Sequence, residues 1–89
     1  GIDETAEAGN FILFPNPARD FLRIRQVRYL GETAGVLLSP LGKTLRTFQL
    51  SGSEQLSSAD IDLAGIPKGI YLVRFSNPLF TQVYKLVIE

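Results

Sequence analysis

The sequence contains no cysteine, no histidine, no methionine and no tryptophan. Without cysteine there is no disulfide and no thiol nucleophile. Without histidine the common zinc, copper and haem ligand sets are gone, together with the imidazole base of most nucleophilic sites. No metal and no cofactor is expected from the residues that remain. Charge of either sign is also in balance: nine Lys and Arg face nine Asp and Glu, for a formal net charge of zero. Such a chain has no long-range field to draw nucleic acid or an anionic membrane. Long apolar runs are missing as well. Charges or turn residues, among them Arg23, Arg25, Gly42, Arg46 and Arg74, interrupt every one, and none approaches the ~20 apolar residues of a membrane helix. No basic start followed by an apolar stretch is visible.

What is present is apolar side chain, 45% of 89 residues. That length supports one domain. So small a chain buries roughly 60–65% of its unfolded surface, so most of its apolar residues must face inward. Residues 1–10 carry Asp3, Glu4 and Glu7 and a single large apolar residue, Ile2. They read as a linker, with the domain proper expected over residues 11–89. The missing initiator Met and the apolar run that continues to Ile88 suggest the last domain of a longer protein.

Period-two alternation recurs along the chain. Leu22 and Ile24 oppose Arg23 and Arg25, as in a half-buried strand. Residues 33–39 place Ala34, Val36 and Leu38 on one face, and Gly35 and Leu37 on the other. The sequence Ser39-Pro40-Leu41-Gly42 has the proline and glycine positions of a type I turn, with a partner strand over residues 43–50. Ser51, Gly52 and Ser53 read as a polar loop. Ile61 and Leu63 alternate with Asp60 and Asp62. Tyr71, Val73 and Phe75 alternate with Ile70, Leu72 and Arg74, and Tyr84, Leu86 and Ile88 share a face of the last segment. About seven short strands at roughly 8–12-residue spacing mark an antiparallel all-β sandwich. The expected core is Leu22, Ile24, Val36, Leu38, Leu45, Ile61, Leu63, Tyr71, Val73, Phe75, Leu86 and Ile88. Pro15-Asn16-Pro17 forbids a helix and is expected to fix how the chain comes into the first strand pair. Gly69 is expected to hold a backbone conformation that a Cβ would strain.

Few residues point to chemistry. Asp60 and Asp62 would share a strand face, but calcium needs six or more oxygens, so the wet side of an edge strand is the economical reading. Arg19, Arg23, Arg25 and Arg28 form a local basic cluster, better explained by cross-strand ion pairs than by a phosphate ligand. Ser39, Ser57 and Ser58 lack a base in a recognisable nucleophile arrangement. Gly31, Gly35, Gly42, Gly52, Gly65 and Gly69 are scattered singly, as turns use them and phosphate loops do not. Phe11, Phe14, Tyr29 and Phe80 suit packing more than sugar stacking. No catalytic residue is assigned.

The ordered set is more telling than any one motif. Pro15-Asn16-Pro17-Ala18 is followed by Asp20-x-Leu22-x-Ile24 and a hairpin ending in Gly42-Lys43. Then come Ile61-Asp62-Leu63-x-x-Ile66-x-x-Gly69-Ile70-Tyr71-Leu72-Val73 and a closing Lys85-Leu86-Val87-Ile88. This layout resembles the C-terminal sorting domain of cargo proteins of the type IX secretion system of Gram-negative bacteria. The resemblance runs from Phe11 to Glu89. It departs where the family often has Asp three residues before the hairpin glycine and this chain has Ser39, which can cap the turn similarly.

The resemblance implies an immunoglobulin-like seven-stranded sandwich acting as a non-catalytic secretion signal. Its partners would be the outer-membrane translocon and a cargo-shuttle protein. In many members a sortase-like protease removes the domain and joins the cargo to a cell-surface lipopolysaccharide. The cargo would be secreted or held at the cell surface after a transient periplasmic stage. The signal is expected in the C-terminal hairpin, at Gly69, Tyr71, Lys85, Leu86, Val87, Ile88 and Glu89. Lys85 and Val87 would face a receptor, and residues 85–89 would offer a free strand edge. Pro15, Asn16, Pro17 and Gly42 would be structural. The rival reading is an immunoglobulin-like or fibronectin-like adhesion or carbohydrate-binding module, which would show a ligand face of aromatic and polar groups.

Overall fold

The computed structural model describes residues 10–27, 31–50 and 58–89. Residues 1–9 of the linker expected over residues 1–10, Arg28, Tyr29, and Ser51 and Ser57 with the loop expected there lie outside the described residues. Alternating apolar and polar residues separated by turn formers produce strands. The described residues form seven: β1 (Phe11–Phe14), β2 (Phe21–Gln26), β3 (Thr33–Leu38), β4 (Thr44–Leu50), β5 (Ser58–Asp62), β6 (Gly69–Asn77) and β7 (Phe80–Ile88).

The strands make two antiparallel sheets, one in the order β1-β2-β5 and one in the order β4-β3-β6-β7. Packed face to face they form the expected immunoglobulin-like sandwich. The longest pairing is β6 with β7, from Gly69 opposite Ile88 to Asn77 opposite Phe80. Their two-residue connection is held by Asn77, whose Oδ1 accepts the Leu79 and Phe80 amides at 2.8 and 3.2 Å. The β3–β4 turn follows the sequence reading. The Gly42 amide donates to the Ser39 carbonyl at 2.9 Å, and the Lys43 amide donates to Ser39 Oγ at 3.0 Å. Gly42 has φ +94°, a conformation that costs a glycine little.

The core joins both sheets. Leu22, Ile24, Ile61, Leu63, Tyr71, Val73, Phe75, Leu86 and Ile88 are buried in it as expected, and Phe11, Leu13, Ala18, Leu37 and Leu50 are buried with them. Phe11 of β1 lies on Phe75 of β6 with centroids 3.9 Å apart and planes at 7°. Tyr84 and Phe48 meet Phe75 edge-on at 5.4 and 5.8 Å.

Three core expectations need correction. Leu38 is buried, but on the outer face beside Leu72 and outside the core that joins the sheets. Val36 is only half-buried, because β3 turns Thr33, Gly35 and Leu37 inward. Leu45 packs on the core only partly. It is the extra residue of a bulge: Leu37 pairs with Arg46, and Leu38 with Thr44. Bulges of this kind re-aim side chains, and here Leu37 and Leu38 are both buried. Gly35 explains the reversed face. It lies opposite Phe48 on one side and Phe75 on the other, and a Cβ built there would overlap the Phe48 ring. Gly35 is therefore a strand glycine under an aromatic ring and not a turn residue. Gly35→Ala is expected to destabilise the domain by about 1–3 kcal/mol through overpacking, read as a lowered urea midpoint with unchanged m value.

Arg46 closes the side where β4 approaches β5. Its guanidinium donates to the carbonyls of Asp62 (2.9 Å), Ala64 (2.7 Å) and Leu45 (2.9 Å). The planar, multi-donor head of arginine suits three carbonyls in one place.

Candidate docking surface

The C-terminal hairpin places the residues expected to carry the signal as follows. Leu86 and Ile88 are buried in the core, whereas Lys85 is exposed and Val87 half-buried on the opposite face of β7. Glu89 is exposed just past the strand. Tyr71 is buried opposite Leu86, and its hydroxyl donates to the Pro67 carbonyl. Gly69 opens β6 with φ +153° and Tyr71 Cε1 3.6 Å from where a Cβ would stand. Gly69→Val is expected to lower stability by more than about 1 kcal/mol, because the backbone there is one that side chains rarely adopt. An unchanged melting temperature would show that the residue is incidental.

The edge of β7 differs from expectation. β7 is the outer strand of its sheet, but residues 85–89 are not free to pair with another chain. The Pro15–Ala18 connection lies along them. Ala18 donates its amide to the Val87 carbonyl at 2.8 Å and accepts the Glu89 amide at 2.8 Å, a parallel bridge between Ala18 and Ile88. Asn16 extends it with its side chain: Nδ2 donates to the Lys85 carbonyl at 3.2 Å and Oδ1 accepts the Val87 amide at 3.1 Å. A carboxamide carries one acceptor and two donors, so it can imitate a peptide unit. Sequence reasoning marked Pro15, Asn16 and Pro17 as structural, but the contact spans 71 residues between Asn16 and Val87, and no local pattern announces it. Both prolyl bonds of this segment are cis.

Asn16→Ala removes both side-chain bonds. It is expected to cost about 1–2 kcal/mol, at net values near 1 kcal/mol per bond, and to speed amide exchange at Val87 selectively. Asn16→Asp keeps the acceptor and should lose less protection at Val87.

Beside this seam, where the β1 and β7 edges face each other, lies a cleft of about 390 Å³ lined by Phe11, Leu13, Asn16, Pro17, Tyr84, Lys85 and Val87. Tyr84 and Gln82 bridge it: the Phe11 amide donates to the Tyr84 hydroxyl at 3.3 Å, and the Asn10 amide to Gln82 Oε1 at 3.4 Å.

The two outer faces of the sandwich differ. On β1-β2-β5, Phe14, Arg23 and Asp60 lie in one cross-strand row. Arg23 Nε is 2.7 Å from Asp60 Oδ1, and its second nitrogen donates to Oδ2 at 3.1 Å. This hydrogen bonding, with the charge attraction behind it, holds the Asp60 carboxyl below its ordinary value and raises the guanidinium. Arg25 lies 5.6 Å over the Phe14 ring, and Asp62 Oδ1 accepts the Ala64 amide. The cross-strand ion pair expected for the arginine cluster is thus present, and the aspartates sit on an edge strand. On β4-β3-β6-β7 the outward residues of β6 and β7 are Ile70, Leu72, Arg74, Ser76, Thr81, Val83, Lys85 and Val87.

Over residues 12–89 the chain matches the family described as the secretion system C-terminal sorting domain. The chain belongs to this family. A search of curated proteins finds no match. As a type IX sorting domain it marks a secreted or cell-surface cargo and is recognised by the secretion machinery. Sorting domains of this family are in general non-catalytic. Among the described residues of this one, no group of three or more acidic residues is placed to hold a metal.

Proposed function

We propose that this sorting domain carries its cargo from the periplasm to the outer-membrane translocon, handed over by a cargo-shuttle protein that reads the C-terminal hairpin. The supporting observation is the division of labour along β7 within a family-matched domain. Leu86 and Ile88 anchor the strand in the core, while Lys85 and Val87 present the other face. Because Asn16 and Ala18 occupy the strand edge, recognition uses side chains of the folded hairpin and not strand addition at residues 85–89. A sortase-like protease then cuts before β1, within or just before residues 1–10, and the cargo is passed to a lipopolysaccharide. A stretch of small and acidic residues suits a protease that must thread an extended chain.

The test is a fusion of residues 1–89 to a neutral periplasmic reporter in a bacterium with a type IX system. The reporter should reach the cell surface, and intact-mass analysis should place any cut before Phe11. A folded domain that still exports its reporter after removal of residues 85–89 would sink the reading. The adhesion or carbohydrate-binding alternative has less to draw on. Phe14 and Phe21 do stand on the outer face of β1-β2-β5, but Arg25 covers Phe14 and Asp60 occupies Arg23.

A further inference from the structure

The outer face of β3, β6 and β7 carries an apolar patch with Arg74 inside it and Lys85 on its outer strand. The register gives its rows: Ile70 beside Val87, then Leu38, Leu72 and Lys85, then Val36, Arg74 and Val83. Ile70 and Val83, on adjacent strands, are 56% and 55% exposed. Leu72, Val87 and Val36 are half-buried around them. Arg74 and Lys85 are both exposed, and among the described residues the ion pair is Arg23–Asp60 on the opposite face, with no carboxylate bridged to either cation. They are diagonal neighbours on paired strands, which puts their Cα atoms roughly 7 Å apart.

We propose that this face docks a protein surface bearing two carboxylates about 7 Å apart within an apolar patch, a spacing met by residues i and i+2 of a strand or i and i+4 of a helix. This deepens the sorting reading above and rests on it. Charge complementarity selects the partner: two unpaired cations amid apolar residues lose their water on docking, and that is tolerable only if carboxylates meet them. The same arrangement disfavours a lipid surface. A face that dips into lipid keeps its apolar residues central and its cations at the rim, where they reach phosphates, whereas here Arg74 stands on an inner strand between Val36 and Val83, with Lys85 beside Leu72 on the outer strand. The face meets the Asn16–Ala18 seam at the backbone of Lys85 and Val87, so docking through their side chains needs no strand to be displaced.

The test reverses both charges, Arg74→Glu with Lys85→Glu, in the reporter fusion. Both residues are exposed, so melting temperature and far-UV circular dichroism should stay close to those of the parent. Surface delivery should fall at least about tenfold, since like charges facing a partner's carboxylates oppose docking. Arg25→Glu on the opposite face should export normally. If the reversal lowers the melting temperature, Arg74→Gln with Lys85→Gln decides in its place. Normal export of the charge variants, with export lost on truncation of residues 85–89, overturns this proposal and leaves the sorting reading standing. Failure of the parent fusion to export overturns both. Co-sedimentation of the parent domain with phosphatidylglycerol-containing vesicles, lost in the charge-reversed variant, also overturns it, because the occupant is then lipid.

Discussion

Val73→Asp is expected to leave the domain unfolded at room temperature. Val73 is fully buried in β6, in the core that joins the two sheets. A carboxylate there has no cation within the core to meet, and burying an unpaired charge is among the most costly single changes. The alternative, binding a proton, still strands a polar group where nothing can bond it. A domain of this size has about 4–13 kcal/mol of stability in total, so little is left after such a loss. The measurement is far-UV circular dichroism at neutral pH with amide dispersion by NMR. A cooperative melt within a few degrees of the parent would contradict the assigned core.

Phe11→Ala is expected to come second, at about 3–5 kcal/mol. Phe11 is fully buried and stacks on Phe75, with Tyr84 edge-on at 6.2 Å and Phe80 tilted at 6.0 Å. It comes from the β1-β2-β5 sheet while its three ring partners come from β6 and β7, so its loss opens a cavity at the junction of the sheets. Chemical denaturation should show a lower midpoint. For a domain of this length each kcal/mol corresponds to about 4–8 °C in Tm, so a fall of at least about 12 °C is expected. Phe11→Leu should recover much of the loss by filling part of the cavity.

Phe11 also shows where sequence pattern reaches its limit. Leu22 with Ile24 announce themselves because Arg23 and Arg25 alternate with them, and Val73 with Phe75 because Arg74 and Ser76 mark the other face. Phe11-Ile12-Leu13-Phe14 has no polar residue to mark a face, so its inward pair, Phe11 and Leu13, cannot be read from period alone. At β3 the pattern misleads for a different reason. Gly35 occupies an inward position without a side chain to signal it, and the missing volume is supplied by Phe48 from β4. Val36 then looks like the core residue when Leu37 is. The candidate surface divides in the same way. That Lys85 and Val87 face outward was legible in the alternation of β7, and so was the outward set Ile70, Leu72 and Arg74 on β6. Their union into one grid depends on strand register, a non-local property set by the whole sheet. The seam between Asn16 and β7 is likewise invisible locally, since an Asn between two prolines reads only as a turn.

That seam has a temporal consequence. Asn16 and Ala18 come early in the chain, and the backbone groups they satisfy belong to β7, the last strand in chain order. Phe11 likewise waits for Phe75, Phe80 and Tyr84. During synthesis, which runs from the N-terminus, the first strand of this domain has neither its aromatic partners nor its seam until the final strand has been made. The contacts that tie the start of this domain into the sandwich therefore form only after translation has reached β7.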